Sequence, residues 1–198
     1  MFDVKRLKFT FVFLIFIASC TNVQQHSVVN LGMHPVHRLS SIKQKNGIIK
    51  IDTGVILNNK NLQSFINDVR ESPMILSYKL DGIPQFIKSF LEHLSGDYFT
   101  MANPGKVWNC CDGGWNDSLP NRELICLGKD KSLFLMSYKT GGIGEAGHLV
   151  LIRYQDNKVT DFWTGTMLEF LSNKNAIVDY LVKNKDKAWG LNTNTIRI

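Results

Sequence analysis

The sequence predicts an α+β fold: a single domain built on an antiparallel meander of four to six strands, with helices packed mainly on one face. Three observations carry this. Between Arg122 and Thr164, four short runs rich in Leu, Ile, Val, Phe, Tyr and Trp are separated by turn residues. Before and after that stretch, apolar residues recur at helical spacing. The chain of 198 residues is 44% hydrophobic and 20% charged, enough apolar material for a sizeable core.

In chain order, Ile48 to Leu57 alternates well enough for a first strand, with Asn58-Asn59 as its turn. Leu62, Phe65, Ile66 and Val69 stand at i, i+3, i+4 and i+7, one face of an amphipathic helix. Met74 to Tyr78 is a short apolar run with strand character. The clearest helix follows. Asp81 is placed to cap it, Pro84 to sit in its first turn, and Gly96 to end it. Its stripe of Phe86, Ile87, Phe90, Leu91 and Leu94 predicts packing on the meander, and His93 falls off the stripe. Tyr98 to Trp108 reads as a strand broken by Asn103-Pro104-Gly105.

Within the meander, Asp156-Asn157 suits a two-residue hairpin turn, because both residues tolerate positive φ. A regular register from that turn pairs Tyr154 with Val159, Ile152 with Asp161 and Val150 with Trp163. Asp161 then lies among apolar neighbours, where its carboxylate would be desolvated unless Arg153 or a lysine compensates. After the meander, Thr166 to Glu169 fits a capping box. Ala176, Ile177, Tyr180 and Leu181 give a last helical stripe, with Lys183, Lys185 and Lys187 at its C-terminal end. The tail keeps Trp189 and Leu191 as docking points.

The N-terminus carries the most specific motif. Lys5, Arg6 and Lys8 precede an almost wholly apolar run from Phe9 to Ile17, too short to span a bilayer as a mature helix. The run ends in Ile17-Ala18-Ser19-Cys20. This segment resembles the signal peptide and lipobox of bacterial lipoproteins, with Ile17 where most members have Leu. The resemblance covers residues 1–20 only. It implies cleavage after residue 19, diacylglyceryl transfer to the Cys20 thiol, and acylation of the new amino terminus. By the same resemblance, Thr21 in place of an Asp favours the outer membrane, facing the periplasm, in a Gram-negative cell. Residues 20–46 then read as the lipidated N-terminus and a polar tether, and residues 47–198 as the folded domain. His34 and His37 flank Pro35 in the tether, which rules out a helical pair of metal ligands there.

Removing residues 1–19 leaves a net charge of about +4, mildly basic. That suits an anionic lipid surface, a glycan or an acidic partner. Nucleic acid is not expected, since no basic run is interleaved with aromatics.

Chemically, Cys110-Cys111 is the most unusual pair in the chain. With Cys20 lipidated, Cys110, Cys111 and Cys126 remain, an odd count. Either Cys126 joins Cys110 or Cys111 in a disulfide closing a loop of about 15 residues, worth roughly 3 kcal/mol, or Cys126 is a buried strand residue. Adjacent cysteines lack the C-x-x-C spacing of common metal and redox motifs. Cys110 or Cys111 with His148 and Asp161 would supply a nucleophile, a base and an orienting carboxylate. Glu145 and His148 stand at the end of Gly142-Ile143-Gly144-Glu145-Ala146-Gly147. That run matches G-x-G-x-x-G but leads into a strand rather than a helix, so it is not a dinucleotide loop.

The expected function is therefore a membrane-anchored, non-catalytic binding or structural module of the cell envelope. Its expected partners are the membrane, through the anchor, and an envelope protein, a glycan or a small ligand. No cofactor and no metal site are expected. The competing reading is a small envelope enzyme or thiol/metal protein using Cys110 and Cys111 with His148 and Asp161.

Overall fold

A computed structural model describes residues 41–44, 47–50, 52–96, 98–114, 116–187, 191, 196 and 198. The signal segment, Cys20, Thr21, the His34–His37 pair and Trp189 lie outside the described residues. The described residues belong to one compact unit, Val36–Ile198.

Two strands come first: β1 (Ser41–Gln44) pairs antiparallel with β2 (Gly47–Lys50). The hairpin thus takes in four residues that the sequence assigns to the tether. The strand expected over Ile48–Leu57 ends early, and Thr53–Leu57 is a helix, α1. Asp52 is the reason. Its carboxylate accepts from the backbone N–H of Gly54 (2.9 Å) and Val55 (3.3 Å), an N-cap that starts a helix where alternation alone suggests a strand.

Helix α2 (Leu62–Glu71) buries Leu62, Phe65, Ile66 and Val69, the expected face. Strand β3 is Ile75–Ser77. Helix α3 (Gln85–Ser95) buries Ile87, Phe90 and Leu91, leaves His93 exposed, and ends on Gly96 in the left-handed conformation (φ 72°). Its N-cap position is taken by Pro84, while Asp81 lies in a separate 3-10 turn, Leu80–Gly82. Between α3 and the next strand, the expected broken strand is absent from the described residues, apart from one isolated parallel bridge, Ala102 to Glu123.

The meander follows as β4 (Arg122–Lys129), β5 (Leu133–Thr140), β6 (Ala146–Gln155) and β7 (Lys158–Met167). With β3 it forms an open five-stranded antiparallel sheet in the order β3-β4-β5-β6-β7. Helix α4 (Lys174–Asn184) closes the described fold. Its cap is Asn173, whose side chain accepts from Asn175 N and Ala176 N. The capping box expected at Thr166 is overridden: β7 runs through to Met167, and Thr166 N donates to the Leu191 carbonyl at 2.6 Å.

The Asp156-Asn157 turn forms with both residues at positive φ (51° and 59°). The register beyond it departs from the regular one. Tyr154 pairs with Val159, but Arg153 then pairs with Asp161, which leaves Thr160 as a one-residue bulge. Every later pair is shifted: Ile152 meets Phe162 and Leu151 meets Trp163. Asp161 and Trp163 consequently share a face with Leu151 and Arg153.

That face carries α1, α2 and α4. Trp163 Nε1 donates to Asn59 Oδ1 (3.0 Å) just after α1, and the Arg153 guanidinium lies 4.0 Å over the Phe65 ring of α2. α2 and α4 also pack against each other. The opposite face carries α3, with Phe86 edge-on to Tyr154 (5.1 Å) and Phe90 edge-on to Phe162 (5.2 Å). Both faces of β5 and β6 are covered, which explains the continuous apolar runs Leu133–Met136 and Leu149–Ile152 in their middles.

Candidate functional site

Four of the five residues singled out for chemistry gather at one end of the sheet, where β5 ends and β6 begins. Gly141 sets this up. A Cβ on it would stand 2.1 Å from the Asn109 carbonyl oxygen and 2.6 Å from the Cys110 carbonyl carbon. Only glycine lets the two backbones approach this closely. Cys111 and Gly142 then form an isolated parallel bridge. The cysteine segment is braced from its other side by the buried Asn109. Its Nδ2 donates to the carbonyls of Asn116 (2.9 Å) and Leu119 (3.1 Å), and its Oδ1 accepts from Asn116 N (3.0 Å). On this support Cys110 and Cys111 are both exposed free thiols. Cys110 Sγ donates to Cys111 Sγ at 3.7 Å.

Beside them stands an ionic cluster of which sequence reasoning singled out only Glu145. Lys139 Nζ lies 2.7 Å from Glu123 and 3.4 Å from Glu145, and 5.2 Å and 5.3 Å from the centres of the Trp108 and Phe170 rings. Glu123 is buried and also accepts from Gly105 N at 2.7 Å. Burial works to lower the Lys139 pKa, but the bonded carboxylates of Glu123 and then Glu145 more than offset it, so the ammonium is held above its usual range. A lysine held cationic in this way is an electrostatic anchor, not a base. Glu123, Trp108 and Phe170 are distant from Lys139 in sequence, and the pairing of β4 with β5 brings Glu123 opposite it.

His148 belongs to the opposite face of the sheet from Lys139. It is 5% exposed, stacks on Tyr138 (ring centres 5.0 Å apart, 15° between planes), and its Nε2 lies 2.8 Å from Thr140 Oγ1. Burial pushes the Tyr138 hydroxyl well above its usual range, opposed in part by the Arg122 guanidinium.

Asp161 is not at this end. It accepts from Arg153 Nη1 (2.8 Å), Asn61 Nδ2 (3.0 Å) and Phe162 N (2.9 Å). Arg153 also holds Asp68 (2.7 Å) and Ser64 (2.7 Å) on α2. Arg153 lies five positions beyond His148 along β6, roughly 17 Å on an extended strand. The nucleophile, base and carboxylate expected from Cys110 or Cys111, His148 and Asp161 are therefore not assembled. The one-residue bulge is the cause of Asp161's placement, and its role is to fasten α2 to the sheet.

Cys126 does not reach the exposed pair either. The register of β4 shifts at Ile125, and Cys126 then lies opposite Ser137, fully buried, with its Sγ 3.8 Å from the Leu171 carbonyl. The disulfide expected between Cys126 and Cys110 or Cys111 is not formed, and all three thiols are free. Desolvation pushes the Cys126 pKa up from 9.0 to about 12. The sign follows. A thiol whose folded pKa is raised contributes stability that is complete below the unfolded value and is lost as pH climbs toward the folded one. Stability should therefore fall between about pH 9 and pH 12 in the native protein, and less so in Cys126→Ala when both are titrated with a denaturant. At mildly alkaline pH an alkylating reagent should modify Cys110 and Cys111 but spare Cys126 until the protein is unfolded. Rapid native modification of Cys126 would contradict its placement.

Two open grooves lie elsewhere. One of about 500 Å³ is lined by Met74, Ile75, Gly82 and Leu127, and one of about 620 Å³ by Asp68, Asp130, Lys131 and Arg153. The second is polar, but its arginine is already neutralised by Asp68 and Asp161. Among the described residues, no three His, Cys, Asp or Glu side chains are arranged to hold a metal ion. Comparison of the chain with protein-family models, with curated proteins and with solved structures returned no match.

Proposed function

We propose that this protein is a lipid-anchored lipoprotein of a bacterial cell envelope, and that its folded domain is a non-catalytic binding or structural module. The observation that carries the reading is the run from Lys5 to Cys20: a basic start, a short apolar core and Ile17-Ala18-Ser19-Cys20. The acyl chains on Cys20 would anchor it stably, since each buried methylene contributes roughly 0.8 kcal/mol.

The geometry of the domain supports binding over catalysis. Asp161 is committed to Arg153 and Asn61, Lys139 is held as a cation, and Cys126 is sealed in the core. The loops at the thiol end carry exposed apolar side chains, Val107, Ile143, Leu168 and Phe170, and Lys139 lies over the Phe170 ring. Exposed apolar side chains beside a charged group suit a protein or glycan partner at the envelope.

The experiment is an intact mass of protein extracted from membranes, beside Cys20→Ser. The wild-type chain should begin at residue 20 and carry acyl chains. Cys20→Ser should lose both the acylation and the cleavage after residue 19. An unacylated wild-type mass, or a membrane-bound Cys20→Ser chain cut at the same place, would remove the lipoprotein reading.

A further inference from the structure

The exposed pair Cys110–Cys111 has no role in the reading above. Its surroundings restrict what it can do. Cys126 is buried inside β4, so it is not a partner for either thiol. The two exposed sulfurs are each other's nearest thiol at 3.7 Å, already in hydrogen-bond contact. Gly141 and the Asn109 network hold their backbone in place.

We propose that Cys110 and Cys111 form a reversible thiol–disulfide exchange site, closing a disulfide between neighbouring residues at the expense of a small-molecule disulfide. The balanced reaction takes two steps. Cys111 gives its proton to solvent, and its thiolate, which accepts the Cys110 hydrogen bond, attacks one sulfur of the small disulfide, forming a mixed disulfide and releasing a small thiolate that takes up a proton. Cys110 loses its proton to solvent and attacks the Cys111 sulfur, forming the Cys110–Cys111 bond. The second small thiolate leaves and takes up a proton. The protein loses two hydrogens and the small disulfide is reduced to two thiols.

The geometry also sets how durable the bond is. Neighbouring Cα atoms are about 3.8 Å apart across a trans peptide, closer than the roughly 4.4–6.8 Å of ordinary disulfides. A bond closed over that distance is strained, and strained exposed disulfides are the readily reduced ones. The site is thus suited to reversible exchange rather than to stapling. Mutual contact with Cys111, and the charge Cys111 acquires on ionising, raise the Cys110 pKa. This suits Cys110 to the second, intramolecular step, in which proximity offsets a small thiolate fraction. Closure acts on a peptide bridged to Gly142, so oxidation is felt in the loop that carries Ile143 and Glu145.

This inference goes beyond the anchored-module reading and does not rest on it, since it is tested on purified protein whatever its location. The protein is incubated with excess oxidised glutathione, quenched in acid, unfolded, alkylated, digested and mapped by mass. The expected product is a peptide holding Cys110 and Cys111 that is two hydrogens lighter and unalkylated, with Cys126 alkylated, and brief reduction restores both thiols. Cys110→Ser should instead accumulate one glutathione on Cys111, and Cys111→Ser one on Cys110. Both side chains are exposed, so neither change disturbs the core. Two glutathiones on one wild-type chain, a link to Cys126, or a disulfide between two chains would each overturn the proposal.

Discussion

Trp163→Ala should lower the unfolding free energy by about 4 kcal/mol, the largest single loss expected in the domain. Trp163 is fully buried on the face of the sheet that carries α1, α2 and α4. Its indole N–H donates to Asn59, and the Asn59 amide in turn donates to the Lys185 carbonyl beyond α4 (3.1 Å). Removing the ring opens a cavity and cuts the link that joins β7 to both helices. Trp163→Phe keeps most of the ring and loses the hydrogen bond, so it should cost about 1–2 kcal/mol. Urea unfolding of the two variants separates these contributions. A loss below about 1 kcal/mol for Trp163→Ala would mean that the helices do not depend on this residue.

Gly141→Ala should destabilise by about 1–3 kcal/mol, and Gly144→Ala, three residues on, should be nearly neutral. The contrast comes from what a methyl group meets. At Gly141 it meets the backbone of Asn109 and Cys110, which has no flexible end to move aside. At Gly144 it meets nothing within 4 Å. In Gly141→Ala the cysteine loop must leave the β5–β6 connection, and the Cys111–Gly142 bridge goes with it. Paired measurements check this: an unfolding curve, and the rate at which Cys110 and Cys111 react with a thiol reagent. Equal behaviour of the two variants would show that the loops are not in contact.

The readable parts of the fold are those decided within a few residues. The faces of α2 and α3 follow from apolar spacing, and the Asp156-Asn157 turn from two residues that tolerate positive φ. The parts decided over long distances were not readable. The bulge at Thr160 places Asp161 beside Arg153, and that pair is completed by Asp68, 85 residues from Arg153. Ile48–Leu57 held two local signals, alternation and the Asp52 cap, and the cap prevailed. At Thr166 a capping box competed with strand alternation, and pairing with Leu191 favoured the strand. For the candidate site, the sequence marked the adjacent cysteines and Glu145, and offered Arg153 or a lysine as a partner for Asp161. It could not show that Cys126 points inward, nor that Lys139 gathers Glu123, Trp108 and Phe170.

The connections of the sheet are unequal at its two ends, and this gives it a direction of opening. At one end β6 and β7 are joined by two residues, and β4 and β5 by Asp130–Ser132. There the Asp130 carboxylate accepts from Ser132 N (2.9 Å) and Leu133 N (2.8 Å), and the Tyr154 hydroxyl donates to the Asp130 carbonyl. At the other end the β5–β6 link is five residues long, and the approach to β4 runs from Gly96 to Asn121. Tight turns limit fraying, while long links permit it at little cost to the rest of the ladder. Local opening therefore begins at the end that holds Cys110, Cys111 and Lys139 and fades toward the hairpin turn. A partner or an oxidant acting at that end can rearrange the loops without unseating the strands behind them.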